Sequence, residues 1–162
     1  MKLSVIYDSK TDNTKTVAGY IVNGMEQVPG IEAMAFSITD VDTDFVKESV
    51  GVVFGSPTYC AGPTADFYKW MEQDAKVLGL AGKLGGVFAT GRFIHGGEDI
   101  NMMTIISHML VRGMMVYSGG GAFGDPVIHV GPVEISPDAE DFRELFEIYG
   151  KRFAGQAVKT FG

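Results

Sequence analysis

Cysteine is nearly absent from this sequence. The 162 residues contain a single cysteine, Cys60, so no disulfide can form within the chain. A lone thiol is typical of a reducing compartment, and we expect a cytoplasmic protein. The sequence has no apolar run of the about 20 residues that cross a bilayer, and it begins with a strand-like segment instead of a secretory leader. We therefore expect neither membrane insertion nor export.

Positive charge is also scarce. Lysine and arginine number 13 against 20 aspartates and glutamates, which gives a net charge of −7 at pH 7. Nucleic acids attract basic surfaces, so this balance argues against a nucleic-acid partner. The balance is compatible with a basic protein partner, which an acidic surface attracts from a distance.

Several catalytic and phosphate-binding motifs are missing. The sequence has neither the glycine pattern of dinucleotide-binding folds nor the glycine-lysine pattern of triphosphate-binding loops. It has no nucleophile elbow, no paired-carboxylate signature and no metal-ligand spacing. We therefore expect no metal ion and no catalytic side chain, and we expect His108 and His129 to be surface or packing residues.

The apolar pattern predicts one domain over residues 1–162, in which five strands alternate with helices. The predicted strands are 3–7, 32–37, 50–55, 84–89 and 114–117. Such alternation predicts an α/β fold, a parallel doubly wound sheet with helices on both faces. We expect the strand order 2-1-3-4-5, in which a ligand binds where the loops after strands 1, 3 and 4 meet.

The helical segments indicate which residues face the core. The predicted inward faces comprise Val17, Ala18, Ile21, Val22 and Met25 in the first helix, Phe67, Trp70 and Met71 in helix 65–74, Met103, Ile106 and Leu110 in helix 99–112, and Phe142, Leu145, Phe146, Tyr149 and Phe153 in the last helix. Asp99 is expected to cap helix 99–112, while Ser136 caps and Pro137 begins the last helix. The glycine-rich segment 119–135 is predicted to be a long loop with a role of its own.

The segment Ser9–Thr14 gathers three hydroxyl groups and one amide side chain at the start of a predicted helix. A helix N-terminus carries about half a positive charge and several unpaired N–H donors. Such a segment suits a terminal phosphate group. The alternative is a turn that only caps the helix, for which Asp12 or Asn13 alone would be enough.

Two further loops follow the third and fourth predicted strands. The loop Ser56–Pro63 has a rigid backbone and exposes Tyr59, whose ring could stack on a planar heterocycle; the alternative is a structural proline-rich turn. The loop Thr90–Glu98 offers N–H donors, one cation and two rings. A phosphate site together with two ring-binding loops suits a mononucleotide with a flat ring, above all FMN. Cys60 has no neighbouring base, so its default interpretation is a small, semi-buried apolar residue.

The whole chain resembles the flavodoxin superfamily. Ser9–Thr14 is similar to the phosphate loop of flavodoxins, with Asp12 where glycine is usual. From the third strand onward the chain looks more like the WrbA-type NAD(P)H:quinone oxidoreductases and the related NADPH-dependent FMN reductases. The segments that carry this second resemblance are Phe54–Tyr59 with Phe67 and Trp70–Met71, Val87–Gly91 with His95–Gly97, Arg112–Met114 and Ile148–Gly155.

The resemblance implies a flavodoxin-like fold and a site for FMN. The residues implied or expected to bind the cofactor are Ser9, Lys10, Thr11, Asp12, Asn13 and Thr14 around the phosphate, Pro57, Thr58, Tyr59, Cys60 and Gly62 on one side of the ring, and Thr90, Gly91, Arg92, Phe93 and His95 on the other. Because the flavin carries out the redox chemistry, Arg92 and His95 are expected at most to tune it. The alternative for Arg92 is a surface ion pair with Glu98 or Asp99.

Two functions are expected from the sequence. The first is an NAD(P)H-dependent oxidoreductase that passes electrons through FMN to a quinone or a similar acceptor, with two or more copies of the chain in the assembly. The second is a flavodoxin-type electron carrier between redox proteins, with no small-molecule substrate. Acidic residues near the cofactor end favour the second, because they could attract a basic redox partner: Asp12, Asp66, Glu98, Asp99 and Asp125.

Overall fold

The computed structural model describes residues 1–135 and 138–162 and contains a parallel sheet. Its strands are β1 (Lys2–Tyr7), β2 (Glu32–Ser37), β3 (Gly51–Pro57), β4 (Leu84–Gly91), β5 (Met115–Val116) and β6 (Val133–Ile135). They follow the order β2-β1-β3-β4-β5, and β6 also pairs with β4. The predicted α/β class and strand order are therefore confirmed.

In the described part of the chain, five α-helices cover the two faces of the sheet. They are α1 (Asn13–Glu26), α2 (Thr43–Glu48), α3 (Ala65–Gln73), α4 (Glu98–Val111) and α5 (Arg143–Phe161). Alternate strand residues point to opposite faces. Val5 belongs to the core beneath α1 and α5, whereas Ile6 belongs to the core beneath α2, α3 and α4. Both faces are buried, as expected for a parallel sheet.

The predicted inward faces of α1, α3 and α5 are confirmed. Val17, Ala18, Ile21 and Met25 on α1, Phe67, Trp70 and Met71 on α3, and Phe146, Tyr149 and Phe153 on α5 are buried. The predicted cap at Ser136 and helix start at Pro137 lie outside the described residues. A 3₁₀ turn, Ala139–Phe142, precedes α5, which begins at Arg143.

The predicted inward face of α4 is wrong for two of its three residues. Ile106 is partly buried and packs against the core, but Met103 and Leu110 are about half exposed, at 50% and 59%, and the buried residues are Met102, Ile105 and Met109. The helix is apolar nearly all round, so its sequence is compatible with more than one buried face. The predicted cap at Asp99 is wrong as well, because α4 begins at Glu98 after Gly97, whose positive φ of 98° suits a residue without a side chain.

The fifth strand is divided in two. β5 pairs only with Leu84 and Gly85 of β4, and the chain then leaves the sheet and returns as β6 beside Ala89–Gly91. Arg152 of α5 holds the segment between β5 and β6 in place. Its guanidinium donates to the carbonyl groups of Gly119, Phe123, Gly124, Asp125 and Pro126. The segment predicted as one long loop thus contains a strand of three residues.

Candidate cofactor site

The loops after β1, β3 and β4 meet at the carboxyl edge of the sheet, because these three strands are neighbours. The backbone N–H of Asp8 donates to the carbonyl of Gly55 at 3.1 Å, and that of Thr58 donates to the carbonyl of Thr90 at 2.7 Å. The structure therefore brings together the three segments that the sequence analysis singled out.

The first loop leaves backbone donors open. Within residues 1–135 and 138–162, the N–H groups of Lys10, Thr11 and Asp12 donate to no acceptor. Asp12 lies in the left-handed region, with φ 65°, and its side chain forms no cap hydrogen bond. A cap made by Asp12 alone is thus not what the structure contains. The loop presents N–H groups and the hydroxyl groups of Ser9 and Thr11 ahead of a helix of 14 residues, which is a suitable environment for an anion.

Two predicted residues of this loop have partners of their own. Thr14 is buried, and its hydroxyl lies 2.8 Å from the hydroxyl of Thr90. The ammonium group of Lys10 pairs with Asp66 at 2.6 Å and with Asp8 at 3.4 Å. The hydrogen bond from Lys10 lowers the pKa of the Asp66 carboxyl. The backbone N–H of Lys10 is therefore available to a ligand, while its ammonium group is paired with Asp8 and Asp66.

Asp8 is a buried residue of the site that the sequence analysis missed. Its carboxylate accepts a hydrogen bond of 2.5 Å from the hydroxyl of Thr64. The same Thr64 hydroxyl accepts from the N–H of Phe67 at 3.1 Å and so caps α3. Asp8 thereby ties the end of β1 to the start of α3. Its position directly after an apolar strand was the available signal in the sequence.

The second loop is a tight turn that exposes Tyr59. Tyr59 and Gly62 exchange backbone hydrogen bonds of 2.9 and 3.0 Å, and both Cys60 and Ala61 have a positive φ, 51° and 60°. The ring of Tyr59 is 51% exposed, while Pro57 and Thr58 are half-buried. Cys60 is exposed, so its predicted semi-buried position is wrong: the turn directs it outward.

The third loop also exposes a ring. Arg92, Phe93 and His95 are exposed, and the guanidinium of Arg92 lies 5.7 Å from the ring centre of Phe93. In the part of the chain that the structure describes, Arg92 forms no ion pair with Glu98 or Asp99, so that alternative is wrong. Gly97 touches Ala61 so closely that a Cβ atom there would overlap it, which places the second and third loops in direct contact.

Asn101 joins these loops from below and was not found in the sequence. It is fully buried, and its amide donates to the carbonyl of Ser56 at 3.1 Å and to the hydroxyl of Thr58 at 3.0 Å. Glu98 is also buried and packs against Gly91 and Gly96, where a Cβ atom would overlap its carboxylate. Glu98 therefore does not belong to the predicted acidic rim. No sequence pattern signals either role, since both depend on where the loops meet.

The chemistry of the site is that of a binding surface. It has open N–H and hydroxyl donors at one end and the exposed rings of Tyr59 and Phe93 on two adjoining loops. Among the described residues, no three His, Cys, Asp or Glu side chains are grouped so that they could hold a metal ion. No described helix is long and apolar enough to cross a membrane.

Together, the sheet order and the three loops define a doubly wound α/β protein of the mononucleotide-binding class. The sequence model of the family described as Flavodoxin matches residues 5–104. A flavodoxin from Clostridium saccharobutylicum is 41% identical over 161 residues, which is 99% of this chain and 100% of that protein. The chain belongs to the flavodoxin family. FMN is the cofactor, as expected, and the donor groups and rings described above fit it.

Two other similarities are weaker. An NAD(P)H dehydrogenase (quinone) from Trichlorobacter lovleyi is 23% identical over 142 residues, which is 71% of this chain and 70% of that protein. A flavodoxin, WrbA-like protein from Agrobacterium tumefaciens has the same fold, with a TM-score of 0.80, 21% identity and 98% of each chain covered. Both kinds of relative expected from the sequence are thus found, and the flavodoxin similarity is the stronger.

Proposed function

We propose that this protein is a flavodoxin-type electron carrier that uses FMN and has no small-molecule substrate. The observation that carries the proposal is the 41% identity to a flavodoxin over the full length of both chains. Of the two functions expected from the sequence, this similarity favours the second. The reductase remains a second candidate, because a quinone dehydrogenase is similar over 71% of the chain, at 23% identity.

Within this proposal, the three loops at the carboxyl edge of the sheet hold different parts of FMN. The phosphate binds to the open N–H groups of the loop 9–14 and to the side chains of Ser9, Thr11, Asn13 and Thr14. The ring lies between the second loop, through Pro57, Thr58 and Tyr59, and the third loop, through Thr90, Gly91, Arg92, Phe93 and His95. Cys60 and Gly62 complete the turn that presents Tyr59. FMN supplies reversible electron uptake when bound, and the protein holds it and controls access.

The exposure of the third loop supports a carrier. Arg92, Phe93 and His95 reach solvent, so a protein partner can approach the ring edge directly. Asp12 and Asp99 are exposed acidic residues near this end. With the net charge of −7 they favour a basic partner protein, and association should weaken as the salt concentration rises.

Anaerobic mixing of the FMN-loaded protein with NADH or NADPH tests the proposal. A carrier without a nicotinamide site keeps its yellow colour with either nucleotide and bleaches with dithionite. Rapid bleaching by one of the nucleotides would contradict the carrier and support the reductase. The site assignment is tested separately, since Tyr59→Ala should weaken binding of both FMN and riboflavin, whereas Thr11→Ala should weaken only FMN. Phe161→Ala, which removes a partly exposed ring at the end of α5, is the matched control.

We also propose a homodimer or a larger assembly in the cytoplasm. The outer face of α4 supports the assembly, since it leaves Ile100, Met103, Leu110 and Val111 at least 50% exposed. The exposed free thiol of Cys60 supports a reducing compartment. Light scattering at working concentration tests the first point, and a monomer would contradict it.

A further inference from the structure

Glu134 is a buried carboxylate to which the proposed function assigns no role. It is the central residue of β6, its exposed fraction is 0%, and neither carboxylate oxygen has a hydrogen-bond partner within residues 1–135 and 138–162. Burial raises the pKa of Glu134 to about 7, because it penalises the charged form. A buried acid without a partner lowers stability, so its presence requires a physical reason.

Its position connects it to the proposed phosphate site. β6 runs parallel to β4, with Glu134 in register with Thr90. Register partners on neighbouring strands are about 4.8 Å apart and point to the same face of the sheet. On that face, the hydroxyl of Thr90 lies 2.8 Å from the hydroxyl of Thr14, in the first turn of α1. The carboxylate is therefore one strand away from the contact that joins β4 to the N-terminus of α1.

The surrounding elements offer Glu134 no compensating charge. β4 carries no ionisable residue between Leu84 and Gly91. The charged residues at the nearby ends of the other elements are exposed: Asp12 and Lys15 by the start of α1, Asp138, Glu140 and Asp141 at the 3₁₀ turn, and Arg143 and Glu144 at the start of α5. Burial is the one cause of the pKa shift of Glu134, and none of these groups contributes to it.

We propose that Glu134 couples the binding of the FMN phosphate to the uptake of a proton, so that Glu134 is neutral when the phosphate is bound. This inference rests on the proposed placement of the phosphate at the loop 9–14. A phosphate dianion would lie at the N-terminus of α1, and an ionised Glu134 would lie one strand away from the Thr90–Thr14 contact at that end. Like charges with little water between them repel each other. Protonation of Glu134 removes that repulsion. A buried carboxyl group can take up a proton and become neutral near pH 7.

The direction of proton movement distinguishes this coupling from the titration of the ligand. Because burial raises the pKa of Glu134 to about 7, the free protein near pH 7 contains both forms of this carboxyl group, and the bound phosphate shifts it toward the neutral form. FMN itself does the opposite, because its phosphate has a second pKa of about 6 and binding as a dianion releases protons. Net uptake above pH 7 therefore reports on the protein.

Titration calorimetry of the full chain freed of cofactor provides the test. FMN and riboflavin are titrated at pH 7.5 in two buffers of different ionisation enthalpy, which yields the number of protons bound. We expect uptake of a few tenths of a proton with FMN and none with riboflavin, which lacks the phosphate. In Glu134→Gln, uptake with FMN should be lost, and its affinity relative to the wild type should rise from near equality at pH 5.5 to about five-fold at pH 8.5.

The calorimetric results test the role of Glu134 separately from the proposed function. Proton release with FMN in the wild type, equal uptake with FMN and riboflavin, or an unchanged proton count in Glu134→Gln would each overturn the role of Glu134. Absence of FMN binding to the wild type would instead overturn the proposed function. If Glu134→Gln does not fold, the proton counts of the wild type with the two ligands decide the matter alone.

Discussion

The hydroxyl of Tyr149 accepts a hydrogen bond of 3.0 Å from the backbone N–H of Val87, in the middle of β4. That N–H points toward the divided fifth strand, where β5 ends at Val116 and β6 begins only at Val133. Tyr149 thus fills the gap that the division leaves in the ladder of β4. It reaches this position because Gly86 has no side chain, and a Cβ atom there would overlap the tyrosine hydroxyl.

Tyr149→Phe should therefore lower the free energy of unfolding by about 1–3 kcal/mol, because it leaves a buried N–H without an acceptor. Urea denaturation measures the change. Tyr20→Phe is the matched control, since the hydroxyl of Tyr20 bonds to the exposed Glu140 and its loss should cost less than about 1 kcal/mol. Equal costs in the two variants would contradict the role of Tyr149 in the sheet.

The buried pair Thr14 and Thr90 permits a double-mutant cycle. Each single change to valine leaves the other hydroxyl without its partner and should cost about 1–2 kcal/mol of unfolding free energy. Thr14→Val/Thr90→Val removes both polar groups, so its cost should be clearly less than the sum of the single costs. Simple additivity would show that the 2.8 Å contact does not join α1 to β4 energetically.

The hydroxyl of Thr64 forms two hydrogen bonds, one to Asp8 and one from the N–H of Phe67. One substitution tests both. Thr64→Val removes both the cap of α3 and the donor to Asp8, so we expect a loss of about 2–3 kcal/mol in unfolding free energy. Thr64→Ser keeps the hydroxyl and should recover most of that loss. A valine variant at least as stable as the serine variant would contradict the role of the hydroxyl, because valine keeps the methyl group and lacks only the hydroxyl.

Glu134 should also make stability depend on pH. Its pKa is about 7 in the folded protein, above its ordinary value of 4.5, so between these values the folded state binds more protons than the unfolded state. The free energy of unfolding contributed by this group therefore falls as the pH rises from 4.5 to 7 and stays low above 7. Relative to the wild type, Glu134→Gln should gain up to about 3 kcal/mol across this window, measured by denaturation at each pH. A constant difference would contradict the raised pKa.

Much of the fold could be predicted because β1, β3 and β4 are mainly apolar segments and β2 alternates, each between clear turn residues. The loops Ser9–Thr14, Ser56–Pro63 and Thr90–Glu98 could be singled out because the carboxyl ends of neighbouring parallel strands meet at one edge. The predicted buried face of α4 was wrong at Met103 and Leu110, since apolar residues spread over most of the helix surface give no single period. β6 was missed because three residues are too few for a strand pattern.

The remaining site residues could not be predicted because their roles are set by contacts between distant segments. Asn101 matters because its amide reaches the backbone of Ser56 and the hydroxyl of Thr58, some 45 residues away in the sequence. Glutamate is usually exposed, and Glu98 is buried only because Gly91 and Gly96 leave room for its side chain. Such relationships appear only after the chain has folded.

Reductive titration of the FMN-loaded protein against a reference electrode tests the central claim most directly. A carrier that exchanges single electrons with protein partners should show two one-electron midpoint potentials that are well separated. For a one-electron step, each tenfold change in the equilibrium constant corresponds to about 59 mV, so two midpoint potentials that differ by more than this are resolved in the titration. One two-electron step, together with reduction by NADH or NADPH, would contradict the carrier and identify a reductase.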